Sequence, residues 1–214
     1  MKVLIISSHP DDEILGCGGT IRKFASQGIS VYVLVLTSQT ESKKDLKEDC
    51  LRAHKILGTR EVFFEGFPNQ LLDTVPILKI NEAIEKYLTK ISPGIVFTHH
   101  YGDINRDHKI AFESSSVAVR PLFPAKVKKL YSYFVASSTE WNACPENAFI
   151  PNTFIDIEKS LDYKIRAMKC YKTEYRDYPH PRSAKSIKLY ANYWGIIAGL
   201  KFAEPFLMLR EIIK

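Results

Sequence analysis

Residues 3–13 read VLIISSHPDDE: a short apolar run that ends abruptly in His9, Pro10 and three consecutive acids, Asp11, Asp12 and Glu13. The run has the length of a strand rather than of a buried helix, and its hydrophobicity is continuous instead of alternating. That is the pattern of a strand covered on both faces, as in a parallel sheet. Pro10 restricts its own backbone and that of His9, which favours an extended exit from the strand and can aim the polar side chains into a cleft.

The same pattern recurs outward from this stretch. Residues 20–28, TIRKFASQG, read as a helix with Gly28 suited to its end, and 31–36, VYVLVL, supply a second strand. Residues 45–57 show helical spacing and stop at Gly58, followed by a third strand in EVFFEGF, 61–67. A helix over 75–91 is broken by Pro93-Gly94, after which IVFTHH, 95–100, forms a strand running into a second polar cluster. Beyond residue 108 the reading gives a helix, a strand in KKLYSYFVASS (128–138), FIDI (154–157), a long helix to about residue 175, a proline-broken loop at 177–183 and a mainly helical segment from Ser186. Alternating strands and helices indicate an α/β fold with a mostly parallel sheet, whose ligands bind outside the carboxyl ends of the strands. Both polar clusters follow strands, so residues 9–13 are expected near 99–108.

The chain has 214 residues, 45% of them hydrophobic and 25% charged, which suits one domain spanning 1–214. No apolar run approaches the ~18 residues of a membrane span. The N-terminal segment meets acids by Asp11, unlike a signal peptide, so the expected location is cytoplasmic. Cys17, Cys50, Cys144 and Cys170 are widely spaced and are expected to remain reduced. The net charge of +6 is scattered over short clusters such as Lys43–Lys47 and Lys126–Lys129, which read as solvated faces. Without an aromatic-interleaved basic stripe, nucleic acid is not an expected partner.

The second cluster, THHYGDINRDH at 98–108, adds three histidines and two aspartates. A catalytic zinc site uses three His or carboxylate ligands and keeps a position open for water. His9, Asp12 and His108 would make such a set for one zinc ion. Asp11, left beside Asp12, fits the base that removes the water's proton.

HPDDE after an N-terminal strand, followed much later by D-x-N-x-D-H, resembles the zinc-dependent carbohydrate de-N-acetylases of the LmbE/PIG-L family. Leu57-Gly58, a long helix from Ile157, Gly195 and Ala203-Glu204 extend the likeness over most of the chain. The resemblance implies a Rossmann-like three-layer α/β/α fold, His9, Asp12 and His108 as ligands, and Asp11 as base. It further implies hydrolysis of the N-acetyl group of an amino sugar or its conjugate; relatives often assemble as homo-oligomers, and the aromatic-rich segment 188–206 reads equally as such an interface or as a closure of the core. Many relatives carry His where this chain has Asn105, three residues before the final ligand. An amide donates a hydrogen bond but brings no imidazolium charge to an oxyanion. His180, His99 and His100 are therefore candidate donors, Asn105, His180 and Arg182 are candidate substrate contacts, and Asp107 is a candidate orienting group in catalysis.

Several plainer readings compete. An acid at the strand-to-helix turn can simply cap the helix, and His99 and His100 at a strand end are read as packing or backbone-bonding groups rather than ligands. Glu13 is read as orienting His9 or capping the helix. Gly16, Gly18 and Gly19 suggest a phosphate loop, but acids intervene, the spacing fails at Ile21, and close helix packing explains them better. Ser7 and Ser8 lack a nucleophile elbow. The rival functions are a non-catalytic sugar-binding module and a metal-dependent phosphoesterase.

Overall fold

The computed structural model describes residues 1–37, 46–122 and 126–213. Strand β1, Lys2–Ser7, lies inside a seven-stranded sheet, third from one edge. Its neighbours are β2, Ser30–Thr37, and β4, Ile95–Thr98, both parallel to it. Strand β3, Glu61–Phe67, pairs parallel outside β2, and β5, Lys129–Tyr133, pairs parallel outside β4. Two further strands, β6 (Thr153–Asp156) and β7 (Ala203–Glu211), complete the order β3-β2-β1-β4-β5-β7-β6. Strand β7 runs antiparallel to both of its neighbours.

The continuous apolar run of β1 is explained by two separate cores. Val3 and Ile5 pack on one face against helices α1 (Asp12–Ser26), α2 (Lys47–Leu57), α5 (Leu161–Met168) and α6 (Ala184–Ile197). Leu4 and Ile6 pack on the other against α3 (Ile77–Ile91) and α4 (Arg106–Ala118). Period-two alternation thus sends successive residues into different layers, giving the three-layer α/β/α arrangement. After β1 the chain moves to β2 and β3 on one side and then crosses to β4 on the other. The strand order therefore reverses between β1 and β4, the place where open α/β sheets bind ligands.

Three elements depart from the sequence reading. Helix α1 begins at Asp12, eight residues before the expected start, and includes Gly16, Gly18 and Gly19. These glycines cost helix propensity, but two of them are demanded by close approach. A Cβ on Gly16 would lie 2.3 Å from the Tyr133 ring, and one on Gly19 would lie 2.7 Å from Ile157. The long helix expected to about residue 175 is only α5; after Met168 the chain tightens into turns, with the Tyr171 amide bonded to the Met168 carbonyl. The C-terminal segment is not helical throughout, because β7 follows α6. Short apolar runs such as AEPFLMLRE do not distinguish strand from helix by periodicity; pairing with β5 and β6 decides it. Lys43, Lys44 and Asp45, read as part of a basic cluster and a helix start, lie outside the described residues.

Candidate active site

Register brings the two polar clusters together. Ile5 of β1 is level with Phe97 of β4, so the segments leaving both strands emerge side by side. His9 lies in the turn after β1, Asp12 opens α1, and His108 stands in the first turn of α4. The His9 amide donates to Asp12 Oδ2 at 2.9 Å, and His9 Nδ1 lies 3.0 Å from the same oxygen. His108 Nε2 is 3.1 Å from Asp12 Oδ2 and 3.2 Å from His9 Nδ1. One ligand atom from each residue falls within 4.8 Å of the others.

The outer nitrogens of both rings face carboxyl groups. His9 Nε2 is 3.0 Å from Asp107 Oδ2, and His108 Nδ1 is 3.1 Å from Asp103 Oδ2. Outer N–H groups bonded to these carboxyls would leave the inner nitrogens to turn lone pairs towards a cation beside Asp12, as metal-ligating histidines require. Two imidazole nitrogens and one carboxylate oxygen converging there fit a divalent ion of the zinc type. Asp103 in turn accepts from Ser138 Oγ at 2.8 Å and Thr139 Oγ1 at 2.6 Å, while Asp107 Oδ1 accepts the Leu72 amide at 3.0 Å.

The same contacts set the proton affinities of the cluster. Burial disfavours the imidazolium of His108, but the Asp12 and Asp103 carboxylates outweigh it and push its pKa up to about 10. His9 is likewise raised, with burial opposed by the Asp12 charge and by hydrogen bonds to Asp107 and Asp12. Burial acts to raise Asp12, yet the two histidines hold it well below the usual carboxylate range. Asp103 reaches about 2 because His108 and its hydrogen-bond donors overcome its burial.

Asp11 behaves differently from its neighbour. Its backbone is left-handed, with φ of 112°, and its side chain is buried. Burial raises its pKa to about 8, opposed by the positive charge of Arg182. Arg182 Nη1 lies 3.1 Å from Asp11 Oδ2 without hydrogen-bond alignment, and 2.6 Å from Glu174 Oε2. Arg182 Nε also donates to Ser137 Oγ at 2.8 Å.

A cleft of about 500 Å³ opens over these groups. His9, Asp11, Asp12 and His108 form one part of its lining, and Asn69, Gln70, Asn105, Ser137, Ser138, Glu174 and Arg182 supply amides, hydroxyls and charge around it. Asn105 caps α4: its Oδ1 accepts the Asp107 amide at 2.9 Å, while its Nδ2 stands 3.5 Å from Gln70 Oε1. His180 lies outside this lining, in an adjoining depression with Trp141 and Arg176.

His99 and His100 do not line the cleft, although His99 Nε2 lies 3.7 Å from Asp12 Oδ2. His99 Nε2 accepts the Ser8 amide at 2.8 Å, and the ring stacks on His108 with centroids 4.0 Å apart. His100 Nε2 faces the Asn147 carbonyl at 3.0 Å. Burial lowers the pKa of both. The sequence reading assigned no role to Asp103, although it lies within the quoted D-x-N-x-D-H. It missed Ser137, Ser138 and Glu174 altogether, since these reach the cleft from loops far along the chain.

Residues 4–119 match the family profile described as PIG-L, GlcNAc-PI de-N-acetylase. The chain is 29% identical to the uncharacterised deacetylase YaiS of Escherichia coli K12, covering 80% of this chain and 90% of YaiS. It is 25% identical to the diacetylchitobiose deacetylase of Thermococcus kodakarensis, over 95% of this chain and 81% of that enzyme. A 4-oxalmesaconate hydratase of Pseudomonas putida is 26% identical over 79% of this chain and 72% of its own length. Among solved structures, the conserved protein TT1542 of Thermus thermophilus superposes with a TM-score of 0.79 at 26% identity, covering 99% of this chain and 96% of that one.

Proposed function

Because the chain belongs to the PIG-L family of GlcNAc-PI de-N-acetylases, we propose that it is a zinc-dependent hydrolase releasing acetate from an N-acetylated amino sugar or a conjugate of one. The observation that carries this reading is Asp11: a buried carboxyl group lining the same cleft as the converging His9, Asp12 and His108. A binding module has no need of a base beside its ligand.

In this reading His9, Asp12 and His108 hold one zinc ion. Zinc so bound would polarise the acetamide carbonyl and bring the pKa of a water molecule towards ~7. Asp11 takes a proton from the water as it adds to the carbonyl carbon. When the carbon–nitrogen bond breaks, Asp11 returns that proton to the nitrogen, so that acetate and the free amine leave. Asp107 holds His9 in its ligating orientation. Asn105 Nδ2 and the Arg182 guanidinium are the donors offered to the substrate's oxygens, and Asn69, Gln70 and Ser138 suit sugar hydroxyls.

The reading treats 1–214 as one catalytic domain working in the cytoplasm. Among the described residues no helix is long and apolar enough to cross a membrane. A homo-oligomer is part of the same proposal, supported by the exposed Leu189, Tyr193, Ile196 and Ile197 along α6. Sedimentation of the purified chain tests it.

Acetate release from a panel of N-acetylated sugars, nucleotide sugars and glycosides tests the activity. The zinc-loaded protein is expected to release acetate, and chelation to abolish that release. A panel that yields no acetate, while 4-oxalmesaconate is hydrated, would overturn the deacetylase reading in favour of the hydratase chemistry of the Pseudomonas relative.

A further inference from the structure

Glu13 is fully buried and faces away from the cleft, yet groups from four parts of the chain converge on its carboxyl. Oε2 accepts the Ser7 hydroxyl from the end of β1 at 3.1 Å and the Asp11 backbone amide at 3.2 Å. Oε1 accepts the Tyr171 hydroxyl at 3.1 Å and faces His54 Nε2 of α2 at 3.0 Å. His54 is itself held, with Nδ1 2.8 Å from Thr59 Oγ1.

The residue this arrangement grips is Asp11, whose φ of 112° is one that non-glycine residues rarely adopt. Such a conformation persists only where the surroundings over-determine it. The Asp11 carbonyl is fixed from the other side, accepting the amides of Ile14 and Leu15 at the start of α1. The peptide carrying the base is therefore pinned at both ends, by the first turn of α1 and by Glu13.

By donor type, Glu13, Cys50 and His54 could also be a second metal site, since their ligand atoms lie within 4.8 Å of one another. The hydrogen bonding argues otherwise. Both His54 nitrogens already face partners, both Glu13 oxygens are taken, and burial pushes the Cys50 thiol well above its ordinary pKa. A ligand set for zinc needs free lone pairs and a thiolate.

We propose that Glu13, braced by His54 and Tyr171, is a positioning residue that holds the Asp11 backbone in its left-handed conformation and so aims the Asp11 carboxyl into the cleft. This rests on the role proposed for Asp11. It separates the tasks within HPDDE: two residues bind metal, one moves the proton, and the last fixes the geometry of the third without touching substrate.

The test compares Glu13→Gln and Tyr171→Phe with the parent protein, each loaded with zinc and characterised by metal content, circular dichroism and amide exchange at Asp11. Both variants are expected to keep one zinc per chain and the parent's spectrum. Exchange at the Asp11 amide should accelerate about tenfold or more in Glu13→Gln and less in Tyr171→Phe. In the same order kcat should fall, by roughly tenfold or more for Glu13→Gln, with KM within about twofold. Unchanged exchange and kcat would overturn the proposal. So would zinc content falling from two per chain to one, or falling in step with kcat, because Glu13 would then serve a metal. If Glu13→Gln does not fold, Tyr171→Phe and Ser7→Ala carry the same comparison. If the parent releases no acetate, the deacetylase reading fails, while amide exchange still decides whether Glu13 holds Asp11.

Discussion

Asp11 and Asp12 are adjacent in sequence and opposite in behaviour. Asp12 faces two imidazoles and is held well below the ordinary carboxylate range, the charged state that the ligand role proposed for it requires. Asp11 meets one guanidinium, which it shares with Glu174, and burial keeps its pKa near 8, within reach of a proton acceptor working at neutral pH. Asp11→Asn preserves size and removes only the basic oxygen. It is expected to retain zinc, measured by metal analysis, while acetate release falls by about 10²- to 10⁴-fold. Loss of zinc in that variant would move Asp11 into the ligand set.

At the scale of elements, α1 shows how packing overrides local preference. Replacing Gly16 by Ala would improve helix propensity by ~1 kcal/mol. The new methyl would meet the ring of Tyr133, which is fully buried and whose hydroxyl is tied to the Ile6 carbonyl at 2.8 Å. Overpacking of this kind costs ~1–3 kcal/mol, so the net change should be destabilising. A urea midpoint lower than the parent's, at unchanged slope, is the expected result. The parallel strands were legible because their apolar runs are continuous and end in turn residues. The early start of α1 was not, since glycines conceal a helix unless the surface they approach is known. Strand β7 was hidden for a related reason: its identity comes from pairing with β5 and β6, one of which lies about 50 residues earlier in the chain.

For the whole molecule, the cluster of His9, Asp12 and His108 couples folding to pH. In the metal-free protein the His108 pKa is raised from 6.5 to about 10. Its stabilisation is therefore complete below the unfolded value and is lost as pH rises through the folded one. Asp11, raised to about 8, adds a loss of the same sign over the lower part of that window. Urea unfolding of metal-free protein should show stability declining between pH 6.5 and 10 by several kcal/mol. His108→Gln should flatten much of the decline. Zinc held as proposed would replace the protons on both rings, so its affinity should rise across the same interval. A metal-free protein equally stable at both ends would contradict the proton-held cluster.

What the sequence determined by itself was the local chemistry and the layering: apolar runs buried on both faces, polar residues at the strand ends, and donor types suited to zinc. These follow from periodicity and side-chain identity, which are properties of neighbours along the chain. Only the tertiary structure decided which carboxyl groups face the histidines, that Arg182 stands between Asp11 and Glu174 at the cleft, and that Glu13 turns inward to meet the backbone of Asp11. Those contacts join residues up to 171 positions apart, and distances of that kind are set by the packing of whole elements across the sheet.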